Sequence, residues 1–375
     1  MLKLGIIRRK FNSFGGAEKF IERLVERLRA RDIAVTIISE QWPESVNQDY
    51  RVIKIPASYG PRAFQQYKLQ KQASEAIKKG GFDLTQSHER VLGARLYRLG
   101  DGLHKSWLAR QSEERGYINN YLAKLDPYHR QIINLEKAIL QSKDNILIAN
   151  SALVRDECVR FYGRNPETIA LIPNGVRTDF FRPPSRDEKL ACREKLRLPN
   201  QVPVVAFVGS GFRRKGLFQL LNSMRICSDF SLVVAGKDKE FNNIQSFIHR
   251  YRLTDRVRLL GPTNDARNVY WASDIFVLPS LYDPSSNAIL EALSCGLPCI
   301  TTANVGSMTE ILEVNAGARC ERNPEDLAVK ILKLISSETD INSLSINARR
   351  LAQRWDEKIV LEQWLTAYRN YRDNA

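Results

Sequence analysis

The sequence predicts an α/β protein with two similar domains, and three observations carry that prediction. At 375 residues the chain is longer than one hydrophobic core usually supports. Short β-branched runs alternate with segments of helical periodicity, a pattern typical of parallel sheets with crossover helices. Because this alternation occurs twice along the chain, we expect two Rossmann-like domains that face a cleft.

The first half of the chain contains five runs with the composition of buried strands. The predicted strands are Leu2–Ile7, Ala34–Ser39, Val52–Pro56, Phe82–Gln86 and Asn145–Ala149. The clearest helix follows the first of them, where Phe20, Leu24 and Leu28 lie on one apolar face. A glycine pair separates that strand from that helix, which predicts a strand, loop and helix unit.

The second half repeats the pattern. Its predicted strands are Val204–Val208, Ser231–Ala235, Val257–Leu260, Ile275–Pro279 and Pro298–Thr302. Residues 179–200 carry a Pro-Pro pair and dense charge without strand periodicity, so we expect the domain connection near them. The predicted domains are residues 1–170 and 171–354. Residues 355–375 have an apolar helical face, which we expect to pack back on the first domain.

The charge of the chain is basic and uneven. It has 57 Lys plus Arg against 42 Asp plus Glu, and residues 1–170 alone carry 29 against 19. Such an excess suits nucleic acid, an anionic membrane surface or a phosphorylated substrate, and it also serves solubility alone. Six Cys without a Cys-x-x-Cys pair and only four His predict reduced thiols and no metal cluster. The basic start and the lack of long apolar runs predict neither export nor a membrane span.

The first glycine loop is a candidate anion site. Gly15 and Gly16 let a ligand approach the unpaired N–H groups at the start of the following helix. The loop lacks the glycine spacing of a dinucleotide fingerprint and that of a P-loop, which argues against NAD binding and ATP hydrolysis. An ordinary strand-to-helix turn is the alternative interpretation.

The loop after the first strand of the second domain presents adjacent cations. Arg214 and Lys215 follow a glycine turn, and they combine a planar guanidinium fork with a compact ammonium. We predict that the two clamp a diphosphate. A solvated basic turn is the alternative interpretation.

Two acids flank a predicted helix start after the strand at 275–279. Asp283 precedes the helix, and Glu291 lies on it, where its carboxylate can accept hydrogen bonds from sugar hydroxyls. The first-turn residues predicted to present N–H groups to an anion are Ser285, Ser286, Asn287 and Ala288.

These motifs, in this order, resemble the retaining glycosyltransferases of the GT-B class, and family 4 within that class. The matching segments are Gly15–Glu18, Ile172–Val176, Arg214–Gly216, Asp283 with Glu291, Gly296–Pro298 and Val305–Gly306 followed by Glu310. The resemblance covers nearly the whole chain. The family has two acids separated by seven residues, usually Glu at both positions, and this sequence has Asp283 at the first.

The resemblance implies an enzyme that transfers a sugar from a nucleotide-sugar donor with retention of configuration, without a metal or another cofactor. It implies that Asp283 contacts the transferred sugar, that Glu291 holds the nucleotide ribose, and that Arg214 and Lys215 stabilise the leaving diphosphate. The first domain then binds the acceptor and the second the donor. The shorter side chain at position 283 leaves the donor sugar open.

Within the family, the chain length and residues 208–216 look most similar to the lipopolysaccharide core glucosyltransferases of bacteria. This implies uridine diphosphate glucose (UDP-glucose) as donor and a heptose of the lipopolysaccharide core as acceptor, at the cytoplasmic face of the inner membrane. That subgroup places an acid in the loop at 99–104, so Asp101 is a candidate catalytic residue and His104 a candidate helper. A turn aspartate and satisfied histidines, His88 included, are the alternative.

Residues 104–130 interleave aromatic and basic side chains, which favours an interfacial segment on anionic lipid. The stretch at 62–79 adds five basic residues and one acid. A helix that covers the core with a solvated outer face is the alternative interpretation. We interpret Asp238 and Glu240 as charges at a helix start and not as metal ligands.

Three other functions stay open at this point. The chain is a family 4 enzyme with another donor or acceptor, a nucleotide-sugar 2-epimerase of the same fold, or a non-enzymatic nucleic-acid-binding protein suggested by charge alone. No recognised nucleic-acid module accompanies the charge, so we expect no nucleic-acid partner.

Overall fold

The computed structural model describes residues 1–11, 16–29, 31–43, 50–115, 125–336 and 338–373. The chain divides into two compact units. The first comprises Met1–Pro173 together with Val360–Ala375, and the second comprises Asn174–Ile359. Among the helices in the described ranges, none combines the length and the apolar character that crossing a bilayer requires.

In the first unit, seven parallel strands form one sheet in the order β3-β2-β1-β4-β5-β6-β7. The strands are β1 Leu2–Ile7, β2 Ile33–Ser39, β3 Arg51–Lys54, β4 Leu84–Ser87, β5 Leu96–Leu99, β6 Ile146–Ala149 and β7 Ile169–Leu171. The helices are α1 Gly16–Arg29, α2 Arg62–Lys79, α3 His104–Arg115, α4 Pro127–Gln141 and α5 Ala152–Tyr162. The strand order reverses between β1 and β4, and ligands of such sheets bind at the carboxyl ends near that point.

The second unit repeats this plan with six parallel strands in the order β10-β9-β8-β11-β12-β13. They are β8 Val204–Val208, β9 Ser231–Ala235, β10 Val257–Gly261, β11 Ile275–Leu278, β12 Cys299–Thr301 and β13 Gly317–Arg319. Its helices are α6 Arg186–Lys195, α7 Phe212–Lys215, α8 Leu217–Ile226, α9 Phe241–Arg250, α10 Arg267–Trp271, α11 Asn287–Ser294, α12 Met308–Glu313, α13 Pro324–Ile335 and α14 Glu338–Arg354. The reversal of strand order lies between β8 and β11.

All ten predicted strands are present, and their ends differ from the predicted ones by at most two residues. The sequence did not predict β5, β7 or β13. β7 and β13 have three residues each, and two residues of β7 are exposed, so neither shows a periodic apolar pattern. β5 contains Arg98, which is buried and which breaks the apolar run expected of a central strand.

The connection between the units lies at Pro173–Asn174, close to the predicted boundary between residues 170 and 171 and just ahead of the charged stretch 179–200. That stretch contains α6, which is anchored within the second unit. Buried Arg193 on α6 donates a 2.6 Å hydrogen bond to the Asp274 carboxylate beside β11. A capping box that starts at Ser185 was the available sequence signal for this helix.

The last helix, α15 Glu357–Asp373, completes the core of the first unit. Val360, Trp364 and Tyr368 are almost fully buried and pack in one cluster with β1 residues such as Leu4 and Ile6. Burial of an aromatic side chain of this size typically stabilises a core by about 3–5 kcal/mol relative to Ala. The expected return of the C-terminal helix to the first domain is therefore confirmed.

Candidate active site

The glycine that ends α7, Gly216, lies against the end of β11. Gly216 has φ of +84°, and a Cβ there would lie 2.2 Å from the carbonyl oxygen of Pro279. Only glycine fits this position, because both the backbone conformation and the contact exclude a side chain. This close contact therefore holds the end of α7 at the carboxyl ends of β8 and β11, where the strand order reverses.

Lys215 and Arg214 on α7 converge on one carboxylate. The Lys215 Nζ atom lies 2.9 Å from Oδ2 of Asp283, and both side chains are buried. Arg214 Nη1 lies 3.8 Å from the same oxygen and donates a 2.7 Å hydrogen bond to the Tyr282 carbonyl. The structure thus brings the two cations expected at the diphosphate together with the acid expected at the transferred sugar, as a cluster with one net positive charge.

The charge state of Asp283 follows from its neighbours. Burial alone would raise the pKa of this carboxyl, but Lys215 and Arg214 outweigh burial and hold the pKa below its ordinary value. The Asp283 backbone is fixed as well, since its N–H donates to Asn304 and its carbonyl accepts from Gly306. The carboxylate is therefore ionised and preorganised.

The start of α11 faces the same edge of the sheet. Asn174 Nδ2 donates a 2.7 Å hydrogen bond to the side-chain oxygen of Asn287 and a longer one to the carbonyl of Ser285. Ser286 occupies the N-cap position and is buried, and Ala288 follows in the first turn. The first N–H groups of a helix have no partner within the helix, so this turn can bind an anion.

Glu291 lies one helical turn after Asn287 on α11. Its Oε2 atom accepts a 2.9 Å hydrogen bond from the Tyr270 hydroxyl. Tyr270 is fully buried, and burial together with the Glu291 charge raises its pKa well above the ordinary value. The hydroxyl therefore stays protonated and orients the carboxylate, which can accept hydroxyl hydrogen bonds from a ligand.

Asp238 supports the glycine loop, which the sequence analysis did not predict. Its Oδ2 atom accepts hydrogen bonds from the N–H groups of Gly211 at 2.5 Å and Phe212 at 2.9 Å. Asp238 also lies at the start of α9, as interpreted from the sequence, because its Oδ1 atom accepts a 2.8 Å hydrogen bond from the N–H of Glu240, the N-cap residue of that helix. Among the residues that the structure describes, no three His, Cys, Asp or Glu side chains are grouped as metal ligands.

Arg322 also holds the loop, and no sequence motif pointed to it. Its Nη2 atom donates a 2.6 Å hydrogen bond to the Arg213 carbonyl on α7, and its Nε atom donates to the Pro279 carbonyl at 3.2 Å. One guanidinium thus ties the helix that carries the cations to the end of β11. Burial lowers the pKa of Arg322 to about 10, so the group is still charged at neutral pH.

A second polar cluster lies at the strand ends of the first unit. Asp101 follows β5, is about half exposed, and accepts a 2.9 Å hydrogen bond from Arg8, which follows β1. Partial burial raises the pKa of Asp101, but Arg8 together with Arg90 and Arg98 lowers it below the ordinary value. The candidate acid is therefore ionised and accessible.

Burial lowers the pKa of each histidine of this unit. His88 Nε2 lies 2.8 Å from the side-chain nitrogen of Gln86, whose oxygen accepts from the Tyr368 hydroxyl. Burial and then the charges of Arg98 and Arg8 hold the pKa of His88 well below its usual range.

His104, the candidate helper, contacts a residue of α4. One of its ring nitrogens lies 2.9 Å from Nδ1 of His129. Burial, followed by the charge of Arg90, lowers the pKa of His104 to about 4. Its backbone N–H donates to the buried Glu136 carboxylate, which thereby caps α3.

Some of the residues predicted to belong to functional sites lie outside the described ranges. Gly15 is among them, and Gly16 is described only as the first residue of α1. Of the segment 104–130, residues 116–124 lie outside as well. The aromatics described there, Trp107 and Tyr128, are each half-buried.

Two family models match the chain in succession. The model described as Glycosyltransferase Family 4 matches residues 14–180, and the model described as Glycosyl transferases group 1 matches residues 188–351. These two matches follow the order of the two structural units.

Proteins of related sequence match different lengths of this chain. A D-inositol 3-phosphate glycosyltransferase from Xylanimonas cellulosilytica is 27% identical over 240 residues, which are 60% of this chain and 57% of that protein. The lipopolysaccharide glucosyltransferase WaaG of Escherichia coli K12 is 21% identical over 315 residues, 82% of each chain. The crystal structure of WaaG, a glycosyltransferase involved in lipopolysaccharide biosynthesis, is similar with a TM-score of 0.84, 20% identity, and coverage of 96% of this chain and 98% of that one. The expected fold class is thereby confirmed.

Proposed function

We propose that this chain, a glycosyltransferase of the GT-B type with a Family 4 domain followed by a group 1 domain, transfers glucose from UDP-glucose to a heptose of the lipopolysaccharide core. The expectation of an enzyme of the glycosyltransferase class is confirmed, and the donor, the acceptor and retention of configuration are the proposal. The observation that carries it is the convergence of Lys215, Arg214 and Asp283 one loop away from Glu291.

The leaving group of such a donor is a diphosphate, which gains negative charge as the sugar departs. Arg214, Lys215 and the first turn of α11 supply three sources of positive potential at one edge of the sheet. Because one net positive charge remains after pairing with Asp283, we propose that this cluster stabilises the diphosphate without a divalent metal.

Transfer with retention forms the new bond on the face that the diphosphate leaves. In the proposed step, the bond between the anomeric carbon and the phosphate oxygen breaks, and the acceptor hydroxyl oxygen bonds to that carbon. The hydroxyl proton passes to the departing phosphate oxygen, so that charge and atoms balance. Asp283 contacts the transferred sugar, Glu291 holds the ribose, and Asp101 is the candidate catalytic acid of the first unit.

The similarity to lipopolysaccharide glucosyltransferase WaaG supports the proposed acceptor, and the basic first half of the chain suits an anionic lipid-linked substrate. We therefore propose that the enzyme works as a peripheral protein at the cytoplasmic face of a bacterial inner membrane.

A transfer assay tests this function. Labelled UDP-glucose and other nucleotide sugars are incubated with truncated, heptose-containing lipopolysaccharide in EDTA. We expect glucose transfer by the wild type, loss of transfer by Glu291→Ala, and full transfer by Glu313→Ala, which removes an exposed acid from α12. Transfer of another sugar, or to another acceptor, would replace the donor or acceptor named here. Conversion of the nucleotide sugar without any acceptor would support the epimerase.

A further inference from the structure

A buried carboxylate interrupts the apolar face of α4. The residues that this helix buries are Ile132, Glu136, Ile139 and Leu140, so one of the four carries a charge. Glu136 is 3% exposed. Taking a carboxylate out of water costs free energy that close partners must offset, and apolar residues of similar volume often serve stability equally well. A charge at this position therefore points to a role beyond packing.

Four donors from three segments of the chain surround this carboxylate. Its Oε1 atom accepts hydrogen bonds from Arg90 Nε at 3.0 Å and from the His104 N–H at 2.7 Å. Its Oε2 atom accepts from the Lys105 N–H at 3.2 Å and from the Tyr162 hydroxyl at 2.7 Å. An ionised carboxylate offers about four acceptor positions, and these donors fill them. Glu136 is thus committed to partners within the protein and not to a substrate.

Three of these partners lead to the loop that carries Asp101. Arg90 donates from Nη2 to the Gly102 carbonyl at 2.8 Å, while its Nε atom donates to Glu136. The two N–H groups that Glu136 binds directly belong to residues 104–105, which begin α3 right after the loop. Glu136 therefore holds the chain after Asp101 by two routes, one through a guanidinium and one by direct contact.

The backbone is held on both sides of Asp101. Asn150 follows β6, is 2% exposed, and donates from Nδ2 to the Gly100 carbonyl at 2.9 Å. Gly102 has φ of +69°, a left-handed conformation that favours glycine, and its N–H donates to the Leu99 carbonyl at 3.3 Å. Side chains from other elements thus fix the carbonyl before and the carbonyl after Asp101. Its carboxylate is presented from a defined backbone position.

Arg90 is the link between Glu136 and this loop. Burial alone would lower the pKa of its guanidinium, but the charges of Glu136 and Asp101 outweigh burial and raise that pKa above the ordinary value. A charged guanidinium forms short, strong hydrogen bonds, and its planar fork serves two acceptors in a fixed geometry. A lysine could carry the same charge, but its compact ammonium could not reproduce the fork.

We propose that Glu136 is a positioning residue for Asp101. Through Arg90 and the start of α3 it fixes the loop 100–105, and thereby the direction in which the Asp101 carboxylate meets the substrate. The proposal rests on the proposed function, which assigns Asp101 a catalytic role. Because Glu136 contacts no reacting atom itself, its loss should lower kcat through Asp101 alone. UDP affinity, which the proposed function assigns to the second unit, should stay unchanged.

A double-variant cycle in steady-state kinetics tests this dependence. Glu136→Gln keeps the shape of the side chain but loses its charge and part of its accepting capacity. It should lower kcat/KM about 10-fold, mainly through kcat, because a misplaced reacting group loses turnover. Asp101→Asn should have a similar effect. The double variant should also lose about 10-fold in total, since the two residues act as one unit. Losses that multiply to about 100-fold would overturn the proposal.

Further variants separate positioning from charge and from stability. Arg90→Lys keeps a positive charge near Asp101 but loses the fork, and it should match Glu136→Gln. Leu28→Ala opens a cavity near the end of α1, where Leu28 is fully buried in another part of the core. It should lower stability but keep the wild-type kcat. Glu75→Gln, which removes an exposed acid from α2, should match the wild type throughout.

Two results from these variants would overturn the proposal. Wild-type kinetics for Arg90→Lys would show that charge, and not the fork, is what matters at this position. Equal losses of kcat for Leu28→Ala and Glu136→Gln would show that general destabilisation explains both.

Amide hydrogen exchange gives a readout that needs no sugar transfer. The Gly102 N–H bonds Leu99 and not Glu136, so its exchange reports opening of the loop. In Glu136→Gln this amide should exchange at least about 10-fold faster than in the wild type, while UDP affinity is unchanged. Unchanged exchange would overturn the proposal. If the wild type transfers no sugar at all, the proposed function fails, and the exchange measurement still decides whether Glu136 fixes this loop.

Discussion

The two units place an Asp beside a cation at the same edge of their sheets, but in different solvent environments. Asp283 in the second unit is 7% exposed and shares Lys215 and Arg214. Asp101 in the first unit has a side chain that is 52% exposed, and it pairs with Arg8. A buried cluster acts in a low local dielectric and is costly to break, whereas an exposed pair is screened by water. We infer that the second unit is built for one fixed charged group, and the first for a solvated and more variable ligand.

The largest effect is expected from a substitution that breaks the buried cluster of Lys215, Arg214 and Asp283. Lys215→Ala should lower kcat by about 100- to 1,000-fold, because it removes a preorganised positive group from the leaving diphosphate. It also leaves a buried carboxylate whose remaining cation, Arg214, is 3.8 Å away, so the unfolding free energy should fall by about 3–5 kcal/mol.

Steady-state kinetics and a denaturant titration measure these two effects. Lys215→Ala combined with Asp283→Asn removes the stranded charge and should regain most of the lost stability while remaining inactive. An active double variant would contradict the assigned role of both side chains.

The second largest effect is expected from a change to Arg322, whose hydrogen bonds hold α7 in place. Arg322→Gln removes the link between Arg213 and Pro279, so kcat should fall about 10- to 100-fold as α7 loosens. The control is Arg319→Gln, which removes an exposed arginine that pairs with Glu321 at the surface.

Affinities of Arg322→Gln and the wild type for UDP and for uridine should be compared by titration. Arg322→Gln should weaken UDP binding and leave uridine binding unchanged, and an equal loss for both ligands would indicate general unfolding instead.

The third effect addresses the exposed pair. Asp101→Asn should reduce kcat/KM about 10-fold, because the proposed function assigns a catalytic role to this charged hydrogen-bonding group. The unfolding free energy should change by less than about 1 kcal/mol, because the Arg8 pair is accessible to solvent. A loss of stability as large as that of Lys215→Ala would contradict this expectation, because it would show that the exposed Asp101 and the buried Asp283 contribute equally to stability.

The smallest effect is a difference in acid stability. His88, His104 and His129, all in the first unit, have pKa values lowered by burial, so the unfolded chain binds their protons more readily. Stability should therefore decline as the pH falls from about 7 to about 5, below the ordinary histidine pKa. Asp283, with its depressed pKa, should reduce stability only as the pH falls below about 4.

Scanning calorimetry at several pH values measures this decline. His88→Gln keeps a polar side chain that cannot titrate. The stability of this variant should therefore decline less between neutral and mildly acid pH than the stability of the wild type. Identical slopes would show that His88 does not contribute to the pH dependence.

The second unit was the more predictable from sequence, and the reason is local. Its site residues fall in two short segments, 209–216 and 283–291, where glycine, cation and acid spacing reflects one loop and one helix start. Asp238 and Arg322 escaped prediction because their partners are backbone atoms of distant segments, and no spacing rule records such a contact.

The first unit was predicted less completely because its polar cluster is assembled from separate strand ends. Arg8, Gln86 and Arg98 follow or lie in three different strands, and Tyr368 comes from the last helix. Asp101, with His104 as its helper, was the only expectation for this region, and it came from a family resemblance. The alternation of strands and helices predicted the sheet, but it carries no information about which polar side chains meet at its edge.

The most direct test of the central claim is calorimetric titration of UDP in EDTA against the wild type, Lys215→Ala and Lys239→Ala. The account predicts wild-type affinity for Lys239→Ala, which removes an exposed cation of the same unit. It predicts a loss of about 10- to 100-fold for Lys215→Ala, because a charged contact to the diphosphate is gone. Equal UDP affinity for all three proteins would contradict the assignment of the diphosphate to the Lys215, Arg214 and Asp283 cluster.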